Sequence, residues 1–121
     1  MPTVLVVEDE SLIRFVIVED LNDAGYSTVE ASNADEAIAI LEARPDIHLV
    51  FTDVDMPGSM DGSKLAAAVR DRWPPIHIMI TSGKGMPSIM PERALFMPKP
   101  YTSKNVVIAM KTFEMASKMI P

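Results

Sequence analysis

Short, continuous apolar runs alternate with longer amphipathic segments along the chain, and this alternation limits the possible folds more than any other feature. Residues 3–7 (TVLVV) are too few for a helix and too uniformly apolar for a strand with one solvent-exposed face. Similar runs occupy 47–53, 76–81 and 94–97, and a weaker one occupies 26–30. Continuous β-branched runs are typical of strands buried on both faces of a parallel sheet. The sequence therefore predicts five strands.

Helices are expected between most of these strands. Apolar residues recur with helical spacing over 11–24, directly after the first strand. Asn33 stands three positions before Glu36, which is the spacing of a capping box, so a second helix is expected to begin there. The pattern predicts a third helix over 62–73 and a terminal amphipathic helix over 103–119.

The segment 83–93 lies where a further helix would follow the fourth strand, but its prolines argue against one. Pro87 and Pro91 would each remove a backbone hydrogen bond and clash with the preceding turn, at about 3 kcal/mol each in a helix interior. We therefore predict an irregular segment or a shortened fourth helix there. Strands that alternate with helices form a parallel sheet covered on both faces. The expected fold is one doubly wound α/β domain over residues 1–121.

Length and composition exclude several classes of protein. A chain of 121 residues is long enough to bury one core. No apolar run approaches the roughly 20 residues that cross a bilayer, so we expect no membrane partner. The net charge of -6 argues against direct binding of nucleic acid, which requires clustered Lys and Arg. The lack of cysteine and of a basic, apolar leader agrees with a cytoplasmic location.

Four carboxylates follow two of the predicted strands. They are Glu8 and Asp9 after the first strand and Asp53 and Asp55 after the third. If the strand order is 2-1-3-4-5, these two strand ends are neighbours and the carboxylates converge on one pocket. Such a cluster repels itself unless a cation binds in it, and hard oxygen ligands suit magnesium. Charge balance therefore predicts a magnesium ion as the cofactor.

Two potential hydrogen-bond donors follow the neighbouring strands. Thr81 follows the fourth strand and Lys99 follows the fifth. A hydroxyl and an ammonium group beside a metal ion suit the binding of phosphoryl oxygens.

With these motifs in this order, the chain resembles the receiver domains of two-component response regulators. The shared motifs are the acidic pair at 8–9, Asp53 within DVDMPG, Thr81, and the Lys99-Pro100 pair. The resemblance covers essentially the whole chain. It implies a flavodoxin-like fold, with a five-stranded parallel sheet in the order 2-1-3-4-5.

The resemblance also implies roles for the carboxylates. Asp53 would be the phosphorylated nucleophile, because in-line attack on phosphorus depends on a fixed position and neutralised charge. Asp9 and Asp53 would bind magnesium directly, and Glu8 would bind it through water. The backbone carbonyl of Asp55 would complete the protein ligands.

The remaining implied roles concern switching and partners. Thr81 would bind a phosphoryl oxygen and move inward on activation, and Phe96 would swing in behind it. Lys99 would pair with the phosphoryl group, and the peptide bond before Pro100 would be cis. The phosphoryl group would come from a histidine kinase or phosphotransfer protein. The protein would catalyse only its own phosphorylation and dephosphorylation, so it would not be an enzyme in the usual sense.

The first helix offers a candidate docking surface for that partner. Its core stripe is expected to consist of Leu12, Ile13, Val16 and Ile17. Phe15 and Val18 would then form an exposed apolar pair close to the acidic pocket. Scattered surface hydrophobes are common, so the same pair also has a purely structural interpretation.

Two other functions remain open on the sequence alone. An Asp-x-Asp pair at 53 and 55 is also found as nucleophile and general acid in phosphatases like the haloacid dehalogenases. There the motif follows the first strand, and the later acidic metal motif is missing after Lys99. The proline-broken segment 83–93 is compatible with an interaction module that works without phosphorylation.

Overall fold

The computed structural model describes residues 2–56, 58, 60–88, 90–99 and 101–119, with only the backbone for residue 103 and residues 113–119. The elements are β1 (Thr3–Val7), α1 (Ser11–Asp23), β2 (Ser27–Ala31), α2 (Ala34–Ala43), β3 (Ile47–Asp53), α3 (Gly62–Arg72), β4 (His77–Ser82), β5 (Ala94–Pro98) and α4 (Ser103–Met119). Each predicted strand and helix is present, with ends within one residue of those expected.

The five strands form one parallel sheet in the order β2-β1-β3-β4-β5, as predicted. Val7 lies opposite Thr52 at the ends of β1 and β3, and Asp53 lies opposite Thr81 at the ends of β3 and β4. The carboxyl ends of β1, β3, β4 and β5 are therefore adjacent along one edge of the sheet. The strand-end residues singled out by the sequence lie on this edge.

Segment 83–93 is irregular in the structure. Its described residues, all but residue 89, form bends and turns without a helix, so α4 is the terminal helix and the prediction is confirmed. Arg70 on α3 fixes the end of the segment. Its Nε donates to the carbonyl of Glu92 at 2.8 Å, and its Nη1 donates to the carbonyl of Pro74 at 2.7 Å.

The core has two layers, one on each face of the sheet. One layer lies under α2 and α3 and includes Leu5, Val50, Leu65, Ile78 and Ile80. The other lies under α1 and α4 and includes Val4, Phe51, Met79, Val106 and Met110. No helix in the described part of the chain is long and apolar enough to cross a lipid bilayer.

Helix α1 turns a different face to the sheet from the one predicted. The buried residues are Ile17, Val18 and Leu21. Val18 is only 8% exposed, so the prediction that it forms an exposed pair with Phe15 is wrong. Phe15 itself is 58% exposed, as expected. Three members of the expected core stripe are instead exposed, namely Leu12, Ile13 and Val16.

Contacts of Arg14 explain this rotation of α1. Its Nη1 donates to the carbonyl of Glu8 at 2.6 Å, and its Nε donates to Glu30 at 3.0 Å. Arg14 must therefore face the sheet. Residues four and seven positions later share its side of a helix, and these are Val18 and Leu21.

Candidate functional site

Asp53, the last residue of β3, lies at the centre of the strand-end residues. Its carboxylate is buried. Oδ2 is 2.7 Å from Nζ of Lys99, and Oδ1 accepts a hydrogen bond from the backbone N–H of Asp55 at 3.0 Å. Both oxygens therefore have a fixed orientation, and the side chain enters the pocket from a rigid strand.

The predicted acidic cluster is present beside Asp53. Carboxylate oxygens of Glu8, Asp9 and Asp53 lie within 4.8 Å of one another. Glu8 is 1% exposed, and its Oε2 accepts from the backbone N–H of Glu10 at 3.0 Å. Its Oε1 is buried and has no hydrogen-bond partner among the described residues. Carboxylate oxygens with an unsatisfied lone pair are a good match for a hard cation such as Mg²⁺.

The acidic cluster strongly perturbs Glu8. Burial raises the pKa of Glu8 to about 7, and the neighbouring carboxyl groups of Asp9 and Asp53 act in the same direction. The pocket therefore opposes a third negative charge when it contains no cation. This electrostatic cost is a second reason to regard the cluster as a metal site.

The ammonium group of Lys99 supplies a positive charge from the protein itself. Burial alone would lower the pKa of its ammonium group, but the hydrogen bond and charge of Asp53 outweigh burial and raise the pKa. Its backbone N–H donates to the carbonyl of Ser82 at 3.0 Å, which fixes the start of the side chain. Lys99 is thus held protonated beside Asp53.

Thr81 and Phe96 occupy neighbouring strands behind this site. Thr81 is fully buried, and its Oγ1 lacks a hydrogen-bond partner within the described part of the chain. Phe96 on β5 is half-buried, lies opposite Ile80 and packs against the core layer under α2 and α3. The Thr81 hydroxyl is therefore a buried polar group whose hydrogen-bonding capacity the described residues leave unused.

Three predicted site features lie at the edge of the pocket or outside the described residues. The Asp55 side chain is exposed, and its Oδ1 is 4.0 Å from Nζ of Lys84. A surface groove joins the exposed residues of α1 to the site, because Leu12, Val16 and Lys99 all line it. Pro100, and with it the predicted cis bond, falls outside the described residues.

Sequence reasoning missed the role of Arg14. Its bond to the carbonyl of Glu8 secures the turn that carries Glu8 and Asp9, and its ion pair with Glu30 joins that turn to the end of β2. The only signal in the sequence is a single charge within the apolar run LIRFVIV.

Comparison with known proteins agrees with this geometry. The family model of the response regulator receiver domain matches residues 4–109. Sensor kinase CckA of Brucella abortus is 35% identical over 115 residues, which cover 90% of this chain and 12% of CckA. An NtrX-like response regulator of Rickettsia felis is 31% identical over 114 residues, which cover 89% of this chain and 24% of that protein. The chain therefore spans a quarter or less of the length of these relatives.

A solved structure shows the same similarity in three dimensions. The response regulator TrrA of Thermotoga maritima, in complex with Mg²⁺-BeF, matches this chain with a TM-score of 0.84. The two are 25% identical, and the match covers 93% of this chain and 98% of TrrA.

Proposed function

This chain belongs to the family of response regulator receiver domains of two-component signalling, and we propose that Asp53 is its phosphoacceptor. The observation that carries the proposal is the setting of the Asp53 carboxylate. It is buried at a strand end, 2.7 Å from the ammonium group of Lys99 and within 4.8 Å of the Glu8 and Asp9 carboxylates. We extend the domain over the whole chain, residues 1–121.

Magnesium is the proposed cofactor of this site. Receiver domains bind Mg²⁺ at an acidic pocket, and Glu8, Asp9 and Asp53 form such a pocket here. Asp9 and Asp53 would bind the ion directly, Glu8 through water, and Asp55 through its backbone carbonyl. When bound, the ion supplies positive charge that offsets the acceptor carboxylate and the phosphoryl oxygens. The presence of Mg²⁺-BeF in the TrrA structure supports this assignment.

The proposed reaction transfers a phosphoryl group from a phosphohistidine to Asp53. A carboxylate oxygen of Asp53 attacks phosphorus in line with the P–N bond. The P–O bond forms as the P–N bond breaks. The electron pair of the P–N bond stays on the imidazole nitrogen, which takes up a proton. Asp53 then carries an acyl phosphate, and the ammonium group of Lys99 binds one phosphoryl oxygen. Hydrolysis of that acyl phosphate by water restores the carboxylate.

Thr81 and Phe96 are the proposed switch. A phosphoryl group on Asp53 offers an acceptor to the Thr81 hydroxyl, whose oxygen has no partner in the described residues. Movement of Thr81 toward the phosphoryl group would leave space into which Phe96 can turn. Segment 83–93 begins two residues after Thr81, so the same movement would reach it through the backbone.

The exposed apolar residues of α1 are the proposed docking surface for the histidine-bearing partner. Phe15 belongs to this surface together with Leu12 and Val16, and Leu12 and Val16 line a groove with Lys99. Val18 does not, since it is buried. The relationship to sensor kinase CckA supports a histidine kinase or phosphotransfer protein as the partner.

The experiment that tests the proposed function is phosphorylation followed by intact mass spectrometry. The wild type and Asp53→Asn are incubated with acetyl phosphate, with Mg²⁺ or with a chelator. We expect one phosphoryl group on the wild type with Mg²⁺ and none in the other three samples. Equal modification of Asp53→Asn would contradict the assignment. A folded wild type that stays unmodified, also with a phosphorylated histidine kinase as donor, would favour an interaction module instead.

A further inference from the structure

The first residue of α3 makes an unusually close approach to the backbone of Asp53. Gly62 is buried, and its backbone N–H donates to the carbonyl of Val54 at 3.0 Å. A Cβ atom added to Gly62 would overlap the carbonyl oxygen of Asp53. It would also lie 2.7 Å from the carbonyl carbon of Asp53 and 2.8 Å from Cα of Val54. All three atoms belong to the backbone, so no side chain can rotate away to relieve the overlap.

The peptide between Asp53 and Val54 is held on its other sides as well. The N–H of Val54 donates to the carbonyl of Thr81 at 2.9 Å, which ties the peptide to β4. The carbonyl oxygen of Asp53, which belongs to the same peptide, accepts from the hydroxyl of Thr52 at 3.0 Å. A side chain at position 62 must therefore either push the peptide against these bonds or move the start of α3 outward. Either movement alters the place from which the Asp53 carboxylate enters the pocket.

Gly83 provides a contrast in the same region. The nearest atom to a Cβ built on Gly83, apart from its chain neighbours, is Cδ of Lys99 at 3.8 Å, which is an ordinary van der Waals distance. An alanine is therefore accommodated at Gly83 without displacement.

We propose that Gly62 is a positioning residue for the phosphoacceptor: its bare Cα lets α3 seat against the Asp53–Val54 peptide and so fixes the Asp53 carboxylate relative to Lys99, Glu8 and Asp9. This inference deepens the proposed function and depends on it. A side chain at Gly62 weakens cation binding and slows phosphorylation through the displacement of Asp53. The helix itself persists, because Leu65, Ala66 and Val69 still bury its inner face.

The test compares Gly62→Ala with the control Gly83→Ala in the full chain. Magnesium affinity is measured by isothermal titration calorimetry, and folding is checked by circular dichroism. We expect Gly62→Ala to bind Mg²⁺ about tenfold or more weakly, which is typical for loss of a group that orients a metal ligand. Gly83→Ala should bind within about twofold of the wild type.

A double-mutant cycle separates positioning from a general loosening of the fold. In Asp53→Asn, the carboxylate that Gly62 positions is already gone. Adding Gly62→Ala to that variant should therefore leave the residual Mg²⁺ affinity nearly unchanged. If Gly62→Ala weakens binding equally in both backgrounds, or in neither, the proposal is wrong.

Two further measurements keep the test decisive. If Gly62→Ala is only marginally folded, its melting temperature is followed over a Mg²⁺ titration, since binding to the native state raises the melting temperature and reports the affinity. Phosphorylation by acetyl phosphate is measured in parallel. Loss of phosphorylation in Gly62→Ala but not in Gly83→Ala supports the proposal. If the wild type itself is not phosphorylated, the proposed function is refuted. The role of Gly62 is then still tested by the Mg²⁺ affinities.

Discussion

Replacement of Glu8 by Gln should stabilise the metal-free protein at neutral and alkaline pH while it weakens magnesium binding. Glu8 is buried, and one of its carboxylate oxygens has no partner in the part of the chain that the structure describes. Its pKa is raised from 4.5 to about 7, first by burial and then by Asp9 and Asp53. Glutamine keeps the size of the side chain and an oxygen for the N–H of Glu10, but it carries no charge.

The pH dependence follows from the direction of this shift. Below pH 4.5, Glu8 is neutral in both the folded and the unfolded chain, so its ionisation does not affect stability. As the pH rises through the interval from 4.5 to about 7, the unfolded chain loses the proton first, and the free energy of unfolding falls. Above about pH 7 the loss is complete, and the pKa difference corresponds to about 3 kcal/mol.

The assay is urea denaturation at pH 5 and pH 8 in the presence of a chelator. We expect Glu8→Gln to exceed the wild type in free energy of unfolding by up to about 3 kcal/mol at pH 8, and by much less at pH 5. Glu19→Gln, an exposed substitution on α1, is the matched control and should stay within about 0.5 kcal/mol at both pH values.

Magnesium should narrow the difference in free energy of unfolding between the two proteins at pH 8. At about one hundred times its dissociation constant, a ligand of the native state adds about 2.7 kcal/mol of stability. The wild type should gain this amount and Glu8→Gln less. A Glu8→Gln protein that is no more stable than the wild type at pH 8 without metal would refute the electrostatic reasoning.

Four further substitutions test other parts of the structure. Lys99→Ala should slow phosphorylation by acetyl phosphate about 100-fold, because it removes the ammonium group 2.7 Å from Asp53. The rate is measured by mass spectrometry of samples quenched at successive times, and an unchanged rate would be inconsistent with the proposed role of Lys99. Thr81→Val should raise the free energy of unfolding of the unphosphorylated protein by about 1 kcal/mol, since it replaces a buried hydroxyl oxygen without a described partner. The same substitution should abolish the changes in hydrogen exchange that phosphorylation causes in segment 83–93. Phe15→Ala should slow transfer from a phosphorylated histidine protein about fivefold, and its free energy of unfolding should stay within about 0.5 kcal/mol of the wild type. Val18→Ala should lower the free energy of unfolding by about 2 kcal/mol and leave transfer unchanged. The reverse pattern would contradict the observed rotation of α1.

The strands and the residues at their ends could be predicted from the sequence because both depend on local patterns, whereas the strand order was implied by the resemblance to receiver domains. Continuous apolar runs mark buried parallel strands, and ligand-binding residues follow the carboxyl ends of such strands. Glu8 and Asp53 can therefore be recognised from their positions in the sequence alone. The close approach of their carboxylates, within 4.8 Å together with Asp9, then follows from the strand order.

The buried face of α1 could not be predicted in the same way. Its run LIRFVIV places apolar residues around most of the helix circumference, so periodicity alone does not distinguish one face from another. The face is selected by tertiary contacts, in particular the bonds of Arg14 to the Glu8 carbonyl and to Glu30. These partners are distant in the sequence or lie on the backbone, so they leave no local pattern.

Gly62 shows the same limit for the site itself. In the sequence it is one glycine in a turn that follows Asp61. Only the packing of α3 against the end of β3 reveals that a side chain at this position would overlap the backbone of Asp53. The residues that carry the chemistry were thus predictable, while the contacts that hold them in place were not.

The most direct test of the central claim is to locate the phosphoryl group by chemical trapping. The wild type is phosphorylated with acetyl phosphate and Mg²⁺ and reduced with borohydride, which converts an acyl phosphate on aspartate to homoserine. Peptide mass spectrometry then identifies the converted position. We predict homoserine at position 53 and unmodified side chains at Asp9 and Asp55. Homoserine at either of those two residues, with Asp53 intact, would contradict the assignment of Asp53 as the phosphoacceptor.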